Sequence, residues 1–574
     1  MNLALVANEC GSEAGVAGSV ISLADQLVID LAEFGITTYF GVPGGAIEPL
    51  FNALARQQRA GLVELVPVRS EGAAAFAADG YFRATGRIAV CTTTTGPGIT
   101  NLLTAAMSAH ADRIPMLILT PQVALRKEGR GALQESVDGY DLPRALGSCT
   151  RYSSTITHPD QLPHKLSRAL ARAFAPPTGP VHLNIPSDLL GARPPASVPR
   201  LSLMMFAAAP IDIGAVDALI RDVLNASRPV FYIGDDAGPN AHQIYQVARV
   251  LGARVVSSPA GKRWLGHLDP VYKGVVGFSG HARALDVLRK ADRIVAFGAT
   301  FDELSTNAYS AFPDVLVYSV DRHLEHAYRL PQVRPVIGDP GRVIEMLLEQ
   351  ARSAVAGEKP RHSSLPRLVA APNSLVRKST DVHPSELMHW LSQKLPPDVV
   401  VHVDAGNSFS WSTNELVRPR PDTYRVAMGL CTMCWGIGAV IGAAVAHHRR
   451  TLCVSGDGAM LMSSLELTVA VERNLPVTYV ILNDSSLGMV RHGQRLGGAE
   501  PIAHEIAPVR FDQLAAACGA HGIRVATTAE LDDIPLTWLA DDDAGPCVID
   551  VCIDREAVPP IGNRVAGLAA GVSR

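Results

Sequence analysis

Lysine is scarce in this chain. Only eight of its 51 basic residues are lysine, and the arginines are scattered rather than striped. Basic charge is not in excess either. The 51 Lys and Arg face 55 Asp and Glu, for a formal net charge of -4. A general nucleic-acid binder gains its affinity by neutralising phosphates, so that class is excluded as an expectation. Cysteines are few and odd in number, nine in 574 residues, spread from Cys10 to Cys552. That does not make a secreted disulfide framework, and it fits a reducing cytoplasm. Long apolar runs are also missing. The one uncharged stretch near the roughly 20 residues of a membrane span runs from Val426 to Ala446, and Gly429, Gly436, Gly438 and Gly442 interrupt it. It is expected to be a buried loop and core helix, so no membrane partner is expected. Residues 1 to 16 lack a basic start, contain Glu9 and Glu13, and read as a disordered leader rather than a signal peptide.

What the chain does have is apolar material, 47% against 18% charged. It is arranged as short β-branched runs alternating with helical stretches. Ile88 to Thr94, Met116 to Thr120, Arg293 to Phe297, Thr451 to Val454, Val477 to Leu482 and Cys547 to Ile553 are examples, and Leu62 to Val68, ahead of Glu71, is expected to be a buried strand as well. This predicts an α/β fold of doubly wound domains with mostly parallel, buried sheets. Pro-rich, aperiodic stretches at 187–211 and 355–384 read as linkers. The expected blocks are 17–190, 205–352 and 375–560, followed by a tail at 561–574.

The third block carries the strongest chemical signal. A strand from Thr451 runs into Gly456-Asp457-Gly458-Ala459, a helix follows, and a second strand ends in Asn483-Asp484-Ser485. A Gly-Asp-Gly turn alone is common at strand ends. Here Asn483 follows Asp457 by 26 positions, also at a strand end. One carboxylate, one amide oxygen and a backbone carbonyl, that of Ser485, form a hard oxygen set suited to Mg²⁺. Gly456 and Gly458 let the backbone approach phosphates at a helix N-terminus.

This spacing resembles the thiamine diphosphate (ThDP) motif of the ThDP-dependent enzymes. The continuation Asn483-Asp-Ser-Ser-Leu487-Gly488-Met489-Val490 is similar to the acetolactate synthase branch. Three further motifs resemble that branch's pyrimidine-binding domain: Gly41-Val-Pro43-Gly44-Gly45, the run from Arg69 through Glu71 to Gly86, and Thr95-Gly-Pro-Gly-Ile-Thr-Asn101. The resemblance implies that Pro43, Gly44, Gly45 and Asn101 adjoin the cofactor. It implies that Glu71 bonds the aminopyrimidine nitrogen and drives proton removal from thiazolium C2. Asp404-Ala-Gly406-Asn407-Ser408 is similar to the family's diphosphate loop. Gly429-Leu-Cys431-Thr-Met433-Cys434 is similar to the segment whose Met props the bent cofactor. Cys431-x-x-Cys434 has no second pair nearby, so zinc is not expected there. Ala132-Leu133-Gln134-Glu135 takes the place of the Ala-Phe-Gln-Glu loop, which gives Gln134 a contact to substrate while Leu133 departs from Phe.

The implied protein is a ThDP- and Mg²⁺-dependent carboligase, a homodimer or homotetramer. It would decarboxylate a 2-keto acid, pyruvate first, and pass the acyl unit to an acceptor carbonyl. A ThDP decarboxylase or 2-hydroxyacyl lyase is the alternative, and a non-catalytic scaffold relative is another. Two departures bear on the acceptor. Gly298-Ala-Thr300-Phe-Asp-Glu-Leu304 lacks both arginines of the family's Gly-x-Arg-Phe-Asp-Asp-Arg, so FAD is expected to be absent or weakly held. An acceptor carboxylate would lose a contact worth about 1.5–3 kcal/mol. Gly493 stands where the family narrows the pocket with Trp, so Leu133, Gln134, Met489, Val490 and Gly493 are expected to line a roomier pocket. Arg491 and His492 beside it are expected to be solvated, the alternative being that either one supplies the replacement chemistry. The adjacent pair His447-His448 is expected on the surface, outside the site.

Overall fold

The computed structural model describes residues 21–135, 141–195, 211–354 and 380–561. The expected leader, nearly all of the tail and most of both linkers lie outside these residues. The described chain builds three six-stranded sheets in which every strand pairing is parallel. Parallel sheets need both faces covered, and the strands accordingly read as continuous apolar runs. Leu117–Gln122 and Val477–Asn483 are buried along their whole length.

The first sheet runs in space as Glu64–Pro67, Thr38–Gly41, Val90–Thr92, Leu117–Gln122, Val181–Pro186, Tyr152–Thr155. The third repeats that order with Tyr424–Val426, Val400–Val403, Thr451–Gly456, Val477–Asn483, Cys547–Cys552, His521–Val525. The central sheet differs. Its order is Val333–Ile337, Val317–Asp321, Arg293–Phe297, Pro229–Ile233, Arg254–Ser257, Tyr272–Val275. That is the dinucleotide-fold order, with the chain reversing direction between Pro229–Ile233 and Arg293–Phe297.

Two expectations are corrected. The run Leu62 to Val68 is not a buried strand. Only Glu64–Pro67 is extended, at the sheet edge, with Val66 buried and Leu62 47% exposed. An edge strand has one neighbour and leaves its other flank to water. The stretch after residue 187 is not all linker. Ser187–Leu190 is a helical turn with Leu190 buried, and the Ala192 carbonyl accepts from Leu23 N at 2.7 Å. Its two leucines need cover, which the first domain provides.

The first and third domains meet through two small-residue helices, Glu71–Thr85 and Trp435–His447. The second holds the later part of the glycine-interrupted apolar run and is buried along most of its length, as its sequence implied, but the loop before it is not the buried one expected: Gly429 and Leu430 are exposed and residues 431–434 only half-buried. No helix among the described residues is long and apolar enough to cross a membrane. A methyl on Gly442 would overlap the Ala77 carbonyl oxygen, and one on Gly80 would overlap that of Ala439. The backbones touch because neither helix carries side chains there. Gly442→Val is therefore expected to cost about 3 kcal/mol or more, read as a lowered midpoint in thermal melting. An unchanged midpoint would mean the helices can separate without cost.

The central domain is tied to the third by a buried lysine. Lys262 donates to the carbonyls of Ser412, Thr413 and Leu416 at 3.0, 2.8 and 2.7 Å. These close the C-terminal end of helix Asn407–Glu415, where a cation is favoured. The other end of that helix belongs to the candidate site.

Candidate active site

Three neighbouring strands of the third sheet, Val400–Val403, Thr451–Gly456 and Val477–Asn483, end on one edge. Each hands over to a helix: Asn407–Glu415, Asp457–Ser463 and Gly488–Leu496. None of the three has a side-chain N-cap. The first N–H groups of helices Asn407–Glu415 and Gly488–Leu496 are thus left for an anion, whereas Gly458 N donates to Asp457 Oδ1. The loops touch. A Cβ on Gly488 would stand 2.8 Å from Asp484 Oδ2 and overlap Asn407 Nδ2. A Cβ on Gly458 would meet Leu487 Cδ2 at 2.7 Å and Met433 Cε at 3.5 Å. Asn407 Oδ1 is buried with no hydrogen-bond partner.

Asp457 lies at the middle of this edge, buried. Its carboxylate accepts from Gly458 N at 2.7 Å and Ser486 N at 3.3 Å, and among the described residues no cationic side chain pairs with it. Burial pushes its carboxyl up to about 6. Asp484 is pushed up to about 7 by burial and by the Asp457 charge. Two carboxylates so placed leave a surplus of negative charge that a cation would neutralise. Asn483 is oriented from behind. Its Nδ2 donates to Asp550 Oδ1 at 2.7 Å and to the Val509 carbonyl at 3.0 Å, which leaves its Oδ1 to ligate. Ser485 adopts a left-handed φ of 53°, and its carbonyl already accepts from Ile506 N at 3.0 Å. A carbonyl has a second lone pair, so the oxygen set still fits Mg²⁺.

Asp404 supports the neighbouring segment. Its Oδ2 accepts from Cys434 N at 2.9 Å, and Ser455 Oγ donates to the same oxygen at 3.1 Å. This fixes the start of helix Trp435–His447 and with it Cys431 and Met433. Cys431 and Cys434 both hold left-handed φ, 53° and 75°. Burial pushes the Cys434 thiol up to about 12, away from the thiolate that a metal or redox role needs.

The first domain supplies a second group. Ser70 caps helix Glu71–Thr85, and Glu71 is its first residue, half-buried. Glu71 Oε2 accepts from Asn101 Nδ2 at 3.1 Å. Gln134 has a left-handed φ of 64° and packs against Gly96, where a Cβ would meet its own at 2.8 Å. Gly44 lies against Thr94, while Pro43 and Gly45 are exposed. Leu133 is 87% exposed and Val490 44%. Among the described residues no hydrogen bond joins Glu71 to the Asp457–Asn483 group.

The chain matches three family descriptions in order. They are "Thiamine pyrophosphate enzyme, N-terminal TPP binding domain" at residues 21–142, the central domain at 216–347 and the C-terminal TPP binding domain at 404–551. It is 30% identical over 548 residues to the acetolactate synthase isozyme 2 large subunit of Escherichia coli, covering 93% of this chain and 95% of that one. It belongs to the thiamine diphosphate-dependent enzymes, on their acetolactate synthase-like branch. The acetolactate synthase large subunit of Parasynechococcus marenigrum is 31% identical over 499 residues, 83% of this chain and 78% of that one. The fold of the Rhodococcus jostii RHA1 ThDP-dependent 4-hydroxybenzoylformate decarboxylase superposes with a TM-score of 0.82 at 22% identity, covering 94% of this chain and all of that one.

Within this ThDP enzyme the acceptor-side residues differ from expectation. Arg491 and His492 are not solvated loop residues. They lie buried in helix Gly488–Leu496, and Arg491 is bound to Glu556 and the Arg555 carbonyl. Arg491 is thus committed elsewhere and does not replace the missing arginine. Around Gly493 a Cβ would meet nothing within 4 Å. Thr300 is buried, and its carbonyl accepts from Arg329 Nη1 at 2.8 Å. Thr300 and Leu304 line a cavity between the three domains, and Gly493 is not in its lining. The two departures therefore do not face one space in the single chain. His447 and His448 are exposed, as expected. Sequence reasoning missed Asp484, Asp550 and the bracing role of Asp404. It also missed His504, which is buried with Nδ1 3.1 Å from Ser486 Oγ.

Proposed function

We propose that the protein is a ThDP- and Mg²⁺-dependent carboligase that decarboxylates a 2-keto acid, pyruvate first, and passes the acyl unit to an acceptor carbonyl. The observation that carries this reading is Asp457, a buried carboxylate without a cation, beside the free Asn483 oxygen at three uncapped helix ends. Bound ThDP supplies electron-sink chemistry for losing CO₂ from a keto acid. Asp457, Asn483 and the Ser485 carbonyl would hold Mg²⁺, and the N–H groups at the starts of helices Asn407–Glu415 and Gly488–Leu496 would hold the diphosphate. Met433, Leu487 and Met489 supply apolar support. Glu71 holds and passes a proton at the pyrimidine nitrogen, with Asn101 fixing one of its oxygens.

We place the working enzyme in the cytoplasm as a homodimer or homotetramer. The lone chain leaves Met107, Leu461, Met462 and Leu465 exposed on helices beside the two half-sites, and a second copy would cover them. Purified protein with ThDP, Mg²⁺ and pyruvate should evolve CO₂, and mass spectrometry over a panel of aldehydes and ketones should find ligated product. Free aldehyde as the sole product would move the assignment to a decarboxylase.

The acceptor is larger, or less dependent on a carboxylate, than a second pyruvate. Gly493 leaves room where an indole would stand, and among the described residues Arg491, the candidate replacement, is held by Glu556. Gly493→Trp should lower kcat/KM for a bulky aldehyde at least tenfold. Each excluded CH₂ carries about 0.8 kcal/mol. Efficient acetolactate formation by the wild type, with aldehydes ignored, would end this reading.

Flavin does not fit the central domain. Its first strand leads into Gly234-Asp235-Asp236-Ala237-Gly238-Pro239, without the G-x-G-x-x-G spacing, and puts two carboxylates where a diphosphate would approach. The purified enzyme should show no flavin absorbance band. A yellow protein with stoichiometric FAD would contradict this.

A further inference from the structure

Helix Asn407–Glu415 has one end in the candidate site and the other against the central domain. Its first N–H groups carry no side-chain cap, and Asn407 Oδ1 beside them is buried with no hydrogen-bond partner. Nine residues are too few for a helix to hold itself together. Apart from Glu415 every one of them is a weak helix former. Its geometry is therefore set from outside, and the central domain sets it. Lys262 is 3% exposed and spends all three of its N–H donors on the Ser412, Thr413 and Leu416 carbonyls at the far end. Its nitrogen also lies 4.6 Å from the centroid of the Tyr424 ring. Further along, Ser279 Oγ donates to Ser410 Oγ at 2.9 Å, and Asn414 Nδ2 donates to the Ser279 and Gly280 carbonyls at 2.9 and 3.1 Å. His281 Nδ1 accepts from Val275 N, so its proton sits on Nε2, which donates to the Asn414 carbonyl at 2.9 Å. Phe278 stacks on Phe409 with ring centroids 5.8 Å apart.

We propose that Lys262 of the central domain is a positioning residue for the ThDP diphosphate, acting along helix Asn407–Glu415 from its far end. The inference rests on the reading that puts the diphosphate at the Asn407 end. A helix carries about half a positive charge at its start and half a negative charge at its end. A full cation on the negative end reverses its sign, so both ends then attract the anion. Nine residues span about 14 Å. Two unit charges that far apart, at an effective dielectric near 20, change binding by about sevenfold. Residues Ser408 to Thr413 are buried, so water and salt screen this path little. The three carbonyl bonds also fix the direction of the helix, and with it the aim of its first N–H groups. Burial pulls the Lys262 ammonium down to about 7, and the Glu415 carboxylate works against that. Three other titratable groups face it. Burial raises Tyr424 on the third sheet, and from the central domain it holds His267 well below its ordinary value and His281 down to about 4. Both histidines are thus neutral above about pH 6, while Lys262 loses its charge as pH rises through about 7.

The test is calorimetric titration of ThDP into the whole protein at saturating Mg²⁺, from about pH 6 to about pH 9. Lys262→Met keeps most of the stem and removes the charge. Near pH 6 it should bind ThDP at least about fivefold more weakly than the wild type. Near pH 9 the two should converge, because the wild-type lysine is then neutral as well. A purely structural role would weaken binding by the same factor at every pH. Lys262→Gln, which can still donate to two of the carbonyls, serves if the methionine variant does not fold by circular dichroism. Equal affinity near pH 6, or a ratio of affinities that does not change with pH, overturns the proposal and leaves the diphosphate reading standing. A wild type that binds no ThDP overturns that reading and this inference with it.

Discussion

In an Asp457→Ala variant, affinity for ThDP is expected to fall at least about 100-fold, equal to about 2.8 kcal/mol. The residual binding should no longer respond to Mg²⁺. Mg²⁺ takes few protein ligands, and here Asp457 is the one carboxylate among Asp457, Asn483 and the Ser485 carbonyl. Without it the ion has two neutral oxygens and is held too weakly to offset the diphosphate. Loss of binding is not expected to come from unfolding. Burial pushes the Asp457 carboxyl up to about 6, so the apoprotein at neutral pH carries that charge at a cost. Its removal also relieves Asp484, whose carboxyl the Asp457 charge helps to raise. The apo variant should thus melt no lower than the apo wild type, while added Mg²⁺ and ThDP should raise the melting temperature of the wild type alone. Calorimetry with and without Mg²⁺ decides it. Full-affinity, metal-independent ThDP binding by the variant would remove Asp457 from the site.

Asp457 and Asn483, the proposed Mg²⁺ ligands, could be located because each stands at the end of a strand that its own sequence announces. Thr451 to Val454 and Val477 to Leu482 are β-branched runs, so Asp457 and Asn483 could be placed at one sheet edge from spacing alone. What orients them was not legible. Asp550 bonds Asn483 from 67 residues away, and only the adjacency of Val477–Asn483 and Cys547–Cys552 brings them together. Asp404 read as part of a loop, yet its carboxylate reaches across the sheet edge to Cys434 N. Helix phase was the other gap. Arg491 and His492 look solvated by residue type, but helix Gly488–Leu496 turns both inward, where Glu556 pairs with the arginine. The edge strand Glu64–Pro67 was overread for the same reason. Its apolar residues do not say which flank lacks a neighbour.

Glu71→Gln is expected to slow proton–deuteron exchange at thiazolium C2 by about 10²–10⁴-fold, the range of positioned acid–base groups. ThDP affinity should stay within about threefold of wild type, because the proposed diphosphate and Mg²⁺ contacts all lie in the third domain. Glutamine keeps the shape of the side chain. Its amide oxygen can still accept from Asn101 Nδ2, which Glu71 Oε2 does now at 3.1 Å. What it loses is the ability to hold a proton between itself and a ring nitrogen. A competing role for Glu71 is visible in the fold. It is the first residue of helix Glu71–Thr85, where a carboxylate favours the helix dipole. If that were its only function, glutamine would cost about 0.3–1 kcal/mol of stability and leave exchange untouched. The two roles separate cleanly in one experiment: exchange by NMR on the ThDP-loaded variant, with thermal melting alongside. A slowed exchange with a nearly unchanged melting temperature assigns Glu71 to the chemistry, and an unchanged exchange rate with a lowered melting temperature reduces it to a helix cap.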